Sequence, residues 1–204
     1  MTGGLVAAAV TGYLLGSLSP ATLVARRRGM DLRGSGSGNP GATNVGRVLG
    51  RRYGVLIALL DVAKGAAPAA VFGAWQPTAG LVAGLAAVLG HITSPWLRGR
   101  GGKGVATAAG AIVGSHPRWA PVVLLVWLLV VAVTRWVALA STAAAVAVPV
   151  CAVAAGADRA DLAWAVALAL LVVARHRTNF ARWWTQRAGA RAHPQAGRAG
   201  AAGP

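Results

Sequence analysis

The amino-acid sequence predicts an all-α polytopic membrane protein, with about seven transmembrane helices and glycine-rich cytoplasmic loops. Of its 204 residues, 56% are hydrophobic and 12% are charged, whereas a soluble domain carries about 25% charged residues. The apolar residues form continuous blocks rather than an alternating pattern, which favours helices over a β-barrel. The formal net charge is +16. Because the basic residues lie in short segments between blocks, they indicate membrane topology and contact with membrane lipid, and we expect no nucleic-acid partner.

Seven apolar blocks follow one another along the chain, and the fourth is the weakest. A helix needs about 20 apolar residues to cross the hydrocarbon core of a bilayer. The fourth block falls well short of this, so we expect either a half-helix or a helix that is extended at one end. The blocks cover approximately residues 5–25, 53–73, 78–97, 104–115, 119–134, 136–155 and 162–174.

The distribution of Lys and Arg predicts the orientation. If the N-terminus lies outside, nearly every basic residue between the blocks faces the cytoplasm, and Arg118 and Arg159 are the exceptions. This pattern needs the fourth block to cross the membrane, because otherwise the later segments would change sides. We expect one transmembrane domain over residues 1–186. Residues 187–204 are rich in Ala, Gly, Arg and Pro, and they predict a disordered basic cytoplasmic tail.

The longest loop, residues 26–52, contains a glycine-dense segment that suits an anion. Glycines such as Gly36 and Gly38 let the backbone approach a ligand closely, and successive N–H groups can form a concave anion site. The alternative is a flexible linker. Ser37, Thr43 and Asn44 could donate hydrogen bonds to a phosphate, and Arg47 could make a bidentate contact. The ordered polar residues Asn39, Thr43, Asn44 and Arg47 argue against a simple spacer.

A second loop carries Gly101, Gly102, Lys103 and Gly104 directly before the fourth block. A glycine turn before a helix N-terminus can bind an anion, and Lys103 adds a point charge. The spacing is not that of a Walker A motif, so a nucleotide site is not predicted. The alternative is a basic loop that only sets topology. The segment 175–179, which reads Arg-His-Arg-Thr-Asn, ends the last block on the same predicted face.

Three ionisable residues lie inside predicted spans. Asp61 and Lys64 are three residues apart, on one helix face, and such residues in a membrane are structural partners or functional groups. We favour a pair that braces the cytoplasmic loop, and a direct phosphate contact from Lys64 is the alternative. His91 lies near the inner end of the third block. It can act as a base or donor near neutral pH, or serve as an ordinary hydrogen-bonding core residue.

Taken together, these motifs resemble those of the bacterial membrane glycerol-3-phosphate acyltransferases that use acyl-phosphate as donor. The resemblance covers about residues 10–185. It rests on the order and spacing of five motifs: Gly36-Ser37-Gly38-Asn39, Gly41-Ala42-Thr43-Asn44 with Arg47, Asp61 with Lys64-Gly65, Gly90-His91 with the run from Gly101 to Thr107, and His176 with Asn179 and Arg182.

The resemblance implies seven spans in the bacterial inner (plasma) membrane, with the N-terminus outside and a cytoplasmic active site. It implies transfer of a fatty acyl group from acyl-phosphate to the 1-hydroxyl of sn-glycerol 3-phosphate, giving lysophosphatidic acid and inorganic phosphate, the first step of phospholipid synthesis. No cofactor and no metal ion are expected, and a separate enzyme could supply the acyl-phosphate. The implied catalytic residues are Ser37, His91 and Asn179. The implied phosphate-binding residues are Gly36, Gly38, Asn39, Thr43, Asn44, Arg47, Gly101, Gly102, Lys103 and Thr107. The implied supporting residues are Asp61, Lys64, His176 and Arg182.

The chain departs from the family pattern near its end. The last motif of the family usually continues Asn-x-x-Arg-Leu-x-x-Gly-x-Glu, and here Gln186 replaces the glycine and Ala188 the glutamate. The chain contains no Glu, so only an Asp could take that role, and Asp31 is the nearest by predicted topology. Two alternatives to the acyltransferase stay open. The missing glutamate is consistent with an inactive paralogue that binds lipid phosphate, and the basic loops and weak fourth block would also suit a transporter or channel for a phosphorylated solute.

Overall fold

The computed structural model describes residues 2–192, which form nine α-helices and one 3-10 turn. The turn is Pro95–Leu97. The helices are α1 (Thr2–Ser17), α2 (Pro20–Arg27), α3 (Ala42–Val48), α4 (Arg51–Gly73), α5 (Pro77–Thr93), α6 (Val105–Ser115), α7 (Ala120–Thr134), α8 (Val137–Ala154) and α9 (Arg159–Ala192). The expectation of an all-helical membrane architecture is confirmed.

The helices follow the predicted apolar blocks, with three differences. The first block contains two helices, α1 and α2, and the first loop contains the short helix α3. Helix α9 continues to Ala192, past the expected domain boundary at residue 186, and the rest of the predicted tail lies outside the described residues. Among the residues that the structure describes, four stretches are both long and apolar enough to cross a membrane: Thr2–Arg27, Arg51–Gly73, Pro77–Leu97 and Val137–Ala154. Helices α6 and α7 are apolar but shorter.

The break between α1 and α2 has a local cause and a long-range partner. Ser19 caps α2, because its Oγ accepts the Thr22 N–H at 3.3 Å. Pro20 suits the first position of the helix, because an N–H there would have no acceptor within the helix. The Lys64 ammonium donates to the Leu18 carbonyl oxygen at 2.7 Å. The same ammonium lies 2.9 Å from Oδ1 of Asp61. Lys64 therefore connects α4 to the break between α1 and α2, whereas the sequence led us to expect it to brace the cytoplasmic loop.

Small residues let the helices approach closely. Gly65 of α4 lies against the carbonyl oxygen of Thr107 in α6, and Gly110 of α6 lies against the carbonyl oxygen of Val62 in α4. A Cβ atom at either glycine would overlap that carbonyl, so both positions need glycine for this contact. The short helix α6 is thereby held along α4, and the loop that precedes it is fixed in place.

The main core lies among α5, α6, α7, α8 and α9, where Ile112, Val148 and Leu168 are buried. Many large apolar side chains instead point outward, among them Val133 and Leu170. A soluble protein rarely exposes such continuous apolar surface, whereas a bilayer accommodates it. The helix packing places the end of α5, the middle of α9 and the start of α6 together, and the candidate site is built there.

Candidate active site

The turn that carries Lys103 folds back onto the end of α5. Helix α5 ends at Thr93, and after the 3-10 turn the chain returns, so that Gly101 N–H donates to the Ile92 carbonyl at 2.9 Å. Gly102 N–H donates to the His91 carbonyl at 3.1 Å. The last carbonyls of a helix need such donors. Both amides are therefore used inside the protein, and the expected contact of Gly101 and Gly102 with phosphate cannot use these two N–H groups.

His91 lies directly beneath this turn. It is 7% exposed, and a Cβ atom on Gly102 would overlap its Nε2. On its other side, Nδ1 lies 3.6 Å from Oδ1 of Asp61, the oxygen that Lys64 contacts. The structure thus joins His91, Asp61 and Lys64 into one buried chain that runs from the turn to the α1–α2 break. His91 supports the turn from below.

Arg175 of α9 holds the turn from the opposite side. Its Nη2 donates to the carbonyl oxygens of Gly101 and Gly102, each at 3.2 Å. The two glycines are therefore bonded through their N–H groups to α5 and through their oxygens to α9. Its place in the segment 175–179 was the one signal for Arg175, and nothing in the sequence distinguished it from the other residues of that segment.

The turn and α9 concentrate positive charge around Lys103. Burial lowers the pKa of the Lys103 ammonium, and the charges of Arg182 and Arg175 lower this pKa further. His176 is buried close by, with Nδ1 2.8 Å from the Val172 carbonyl oxygen. Within residues 2–192, no carboxylate lies within 4.0 Å of any of these basic groups. We call Lys103, Arg175 and Arg182 the cationic cluster, and His176 is its buried imidazole neighbour. Such a cluster is suited to bind an anion.

Asn44 organises the glycine-dense loop. Its side chain is 1% exposed, Oδ1 accepts the Ser37 N–H at 2.8 Å, and Nδ2 donates to the Ser35 carbonyl at 3.1 Å. Gly36 and Gly38, on either side of Ser37, have φ angles of 61° and 70°, in the left-handed region that favours glycine. The amide of Asn44 is therefore occupied within the loop, while the Ser37 side chain is exposed.

The remaining expected site residues differ in their surroundings. Across the part of the chain that the structure describes, the side chains of four of them form no hydrogen bond: Asn39, Thr43, Arg47 and Asn179. Thr107 is fully buried, and its Oγ1 has no hydrogen-bond partner among the described residues. The first loop contacts the second through Arg33, whose Nη2 donates to the Leu97 carbonyl at 3.0 Å.

Comparison with known proteins agrees with this architecture. The profile of the family described as Glycerol-3-phosphate acyltransferase matches residues 6–186. A glycerol-3-phosphate acyltransferase of Aquifex aeolicus is 41% identical over 184 residues, which cover 87% of this chain and 94% of that protein. One from Pseudomonas syringae pv. tomato is 44% identical over 182 residues, which cover 84% of this chain and 90% of that protein.

Two solved structures of PlsY (YgiH), an integral membrane glycerol 3-phosphate acyltransferase, share the fold. The glycerol 3-phosphate form superposes with a TM-score of 0.86 at 39% identity, and it covers 90% of this chain and 93% of that one. The lysophosphatidic acid form gives a TM-score of 0.84 at 38% identity with the same coverage. The helical membrane fold, the motif order and the relatives agree, and the chain belongs to the family of integral membrane glycerol-3-phosphate acyltransferases.

Proposed function

We propose that this protein transfers a fatty acyl group from acyl-phosphate to the 1-hydroxyl of sn-glycerol 3-phosphate. The hydroxyl oxygen attacks the acyl carbonyl carbon, and the bond from that carbon to the phosphate oxygen breaks. The products are lysophosphatidic acid and inorganic phosphate. A family structure with glycerol 3-phosphate and one with lysophosphatidic acid support the acceptor and the product.

The cationic cluster is the observation that carries this proposal. Lys103 and Arg182 repel each other in a partly buried site, and no carboxylate of the described chain offsets them. A phosphate dianion would remove this repulsion, and both proposed substrates carry phosphate. The positive charge also favours departure of phosphate, because the leaving group develops negative charge as its bond to carbon breaks.

The glycine-dense loop supplies a second group of donors. Asn44 fixes the loop, and the exposed Ser37 hydroxyl and Arg47 guanidinium form no internal hydrogen bond in the described structure. We assign both to a substrate phosphate, with Thr43 and Asn39 as further donors. Asn179 lies one helical turn from Arg175 and His176 on α9, and we assign it to substrate binding beside the cationic cluster.

We assign His91 a positioning role, because its two ring nitrogens face Asp61 and Gly102. The residues of the site then act by binding the two substrates and orienting the hydroxyl towards the acyl carbonyl carbon. This is sufficient for an acyl donor that is already activated. A phosphate oxygen takes the proton of the attacking hydroxyl in this scheme. A pH–rate profile of His91→Ala tests this proton transfer. If the wild-type activity rises with pH near neutrality and the variant loses that rise, the proton goes to His91 instead.

We further propose that the N-terminus lies outside and the site faces the cytoplasm of the bacterial inner membrane. The basic residues that surround the site support this orientation. The acyl chain would lie between helices, open to the bilayer, where the exposed apolar side chains of the helices meet lipid. A separate enzyme that makes acyl-phosphate would then act as the supplying partner.

The test uses purified protein in lipid nanodiscs with palmitoyl-phosphate and glycerol 3-phosphate, and palmitoyl-CoA in parallel. We expect equal release of phosphate and lysophosphatidic acid from palmitoyl-phosphate, and no product from palmitoyl-CoA. Lys103→Met and Ser37→Ala should each abolish most of the activity, whereas Arg118→Met, which removes a charge outside the cluster, should not. If folded wild-type protein gives no product, the inactive paralogue is favoured, and Ala188 in place of the family's glutamate becomes its explanation.

A further inference from the structure

A second positively charged region lies outside the cationic cluster. It is a cleft of about 880 Å³ between the segment that follows α2 and the 3-10 turn that follows α5. Four arginines line it, Arg26, Arg33, Arg98 and Arg100, with Asp31 as the one acidic residue among its lining groups. Neither Ser37 nor any member of the cationic cluster lines this cleft.

Within the described part of the chain, the arginines of this cleft have no ionic partner. Among residues 2–192, Asp31 lies beyond 4.0 Å from every basic side chain, and its Oδ1 accepts the backbone N–H of Arg33 at 3.0 Å. One of the four arginines, Arg33, is used in a hydrogen bond, to the Leu97 carbonyl. Four positive charges against one negative charge leave a cleft that attracts an anion and presents guanidinium groups, which match phosphate geometry.

The surroundings of the cleft are those of a membrane interface. Trp96 lines the cleft and is 65% exposed, while its Nε1 donates to the Ser17 Oγ at 2.9 Å. An indole that is anchored by its N–H and exposed along its ring is typical of the headgroup boundary. On α2, Leu23 is 53% exposed and lies one turn before Arg26, so an apolar side chain and an arginine share one face.

We propose that this cleft binds the phosphate headgroup of an anionic phospholipid, at a site separate from the active site. The arginines contact the phosphate, and the chains of the lipid leave the cleft past Trp96 and Leu23 towards the hydrocarbon. Basic pockets at helix ends on the cytoplasmic side are suited to such headgroups. A free phosphate ion carries the same charge as the lipid headgroup but has no acyl chains. The exposed apolar side chains of Trp96 and Leu23 beside the cleft therefore favour the lipid.

Quenching of tryptophan fluorescence in nanodiscs tests this. Phosphatidylcholine nanodiscs would contain either brominated phosphatidylglycerol or brominated phosphatidylcholine at equal mole fraction. The difference between wild type and Trp96→Phe isolates the signal of Trp96. We expect stronger quenching of Trp96 by the brominated anionic lipid. In Arg26→Gln/Arg100→Gln, half-maximal quenching should need a mole fraction about tenfold higher.

Matched variants make the outcome specific. Arg27→Gln/Arg51→Gln removes the same charge from exposed positions that do not line the cleft, and it should behave as wild type. Arg26→Lys/Arg100→Lys keeps the charge and should retain most of the preference for anionic lipid. Equal quenching by the two lipids, or the same loss in the matched control, would overturn the proposal. Relief of the quenching by inorganic phosphate would overturn the assignment to lipid and favour a soluble phosphate ligand.

Discussion

The guanidinium of Arg175 donates to the carbonyl oxygen of Gly102 at 3.2 Å, and this contact joins α9 to the turn that precedes α6. The same nitrogen reaches the Gly101 carbonyl. Lys103 comes directly after Gly102 in this turn. The position of its ammonium therefore depends on Arg175, which lies on α9 with Arg182.

Arg175→Gln should lower kcat/KM about 100-fold, because a small displacement of a positioned group can cost that much. Arg175→Lys keeps the charge, but the lysine side chain is shorter than arginine and its ammonium would not lie where Nη2 contacts both carbonyls, so it should recover only part of the loss. Steady-state kinetics with both substrates gives the measurement. Arg177→Gln, an exposed neighbour on α9, is the control. Full recovery in Arg175→Lys would show that charge alone matters.

Binding of glycerol 3-phosphate should weaken with rising pH below the range in which an ordinary lysine loses its proton. Burial and the nearby arginines lower the pKa of Lys103, and the neutral amine no longer attracts phosphate. The KM for glycerol 3-phosphate, measured from neutral to alkaline pH, should therefore rise. Lys103→Arg should move this rise to higher pH, since arginine stays protonated. An unchanged profile in Lys103→Arg would contradict the assignment.

Lys103→Met should stabilise the protein in the absence of substrate, although it removes activity. A lysine with a lowered pKa binds fewer protons in the folded state than in the unfolded state, so its contribution to stability rises as pH increases through that pKa. Removal of the lysine removes this pH dependence and the repulsion at neutral pH. Thermal unfolding in nanodiscs at several pH values measures both effects. A lower unfolding temperature for the variant at neutral pH would be the contrary result.

Gly102→Ala should destabilise the protein, by about 1–3 kcal/mol as expected for overpacking, because the added Cβ overlaps the His91 ring. The double variant Gly102→Ala/His91→Ala makes room for the methyl group, so it should recover part of the unfolding temperature. Gly34→Ala is the control, since a Cβ there meets only the end of the Asp31 side chain at 3.7 Å. If the double variant recovers no stability, overlap with the His91 ring is not the cause of the destabilisation.

Asn44→Ala should loosen the loop that presents Ser37. It removes the acceptor of the Ser37 N–H and the donor to the Ser35 carbonyl, at a cost of about 0.5–1.5 kcal/mol for each of these partly buried hydrogen bonds. Hydrogen exchange of the Ser37 amide should become faster. The KM of the substrate whose phosphate Ser37 binds should rise. Thr43→Ala changes an exposed neighbour without these bonds and should leave the exchange rate unchanged.

The order of the helices could be predicted from the sequence because apolar blocks determine which segments enter lipid. The pairing of Asp61 with Lys64 followed from helical spacing alone. The break between α1 and α2 was harder to predict, because it lies at Leu18 and Ser19 inside an apolar block and no charged residue marks it. The extent of α9 was also missed, because its last turns carry no apolar periodicity.

The directions in which the polar groups of the site point could not be predicted. Gly101 and Gly102 have the composition of an anion-binding turn, yet the return of the chain onto α5 uses their N–H groups within the protein. Asn44 has the same chemistry as a ligand donor, but it is occupied by the loop. Both outcomes depend on contacts between residues far apart in the sequence or on turn geometry, which residue types do not specify.

The contact between Arg175 and the turn also has a consequence for biosynthesis. The ribosome makes the turn before α9, so each new chain carries Lys103 for some time without the arginine that holds the turn. Insertion of α9 therefore completes the site as well as the core. A nascent chain halted before Arg175 would expose the substrate-binding loops without the geometry for transfer, and catalysis would begin only after α9 has entered the membrane.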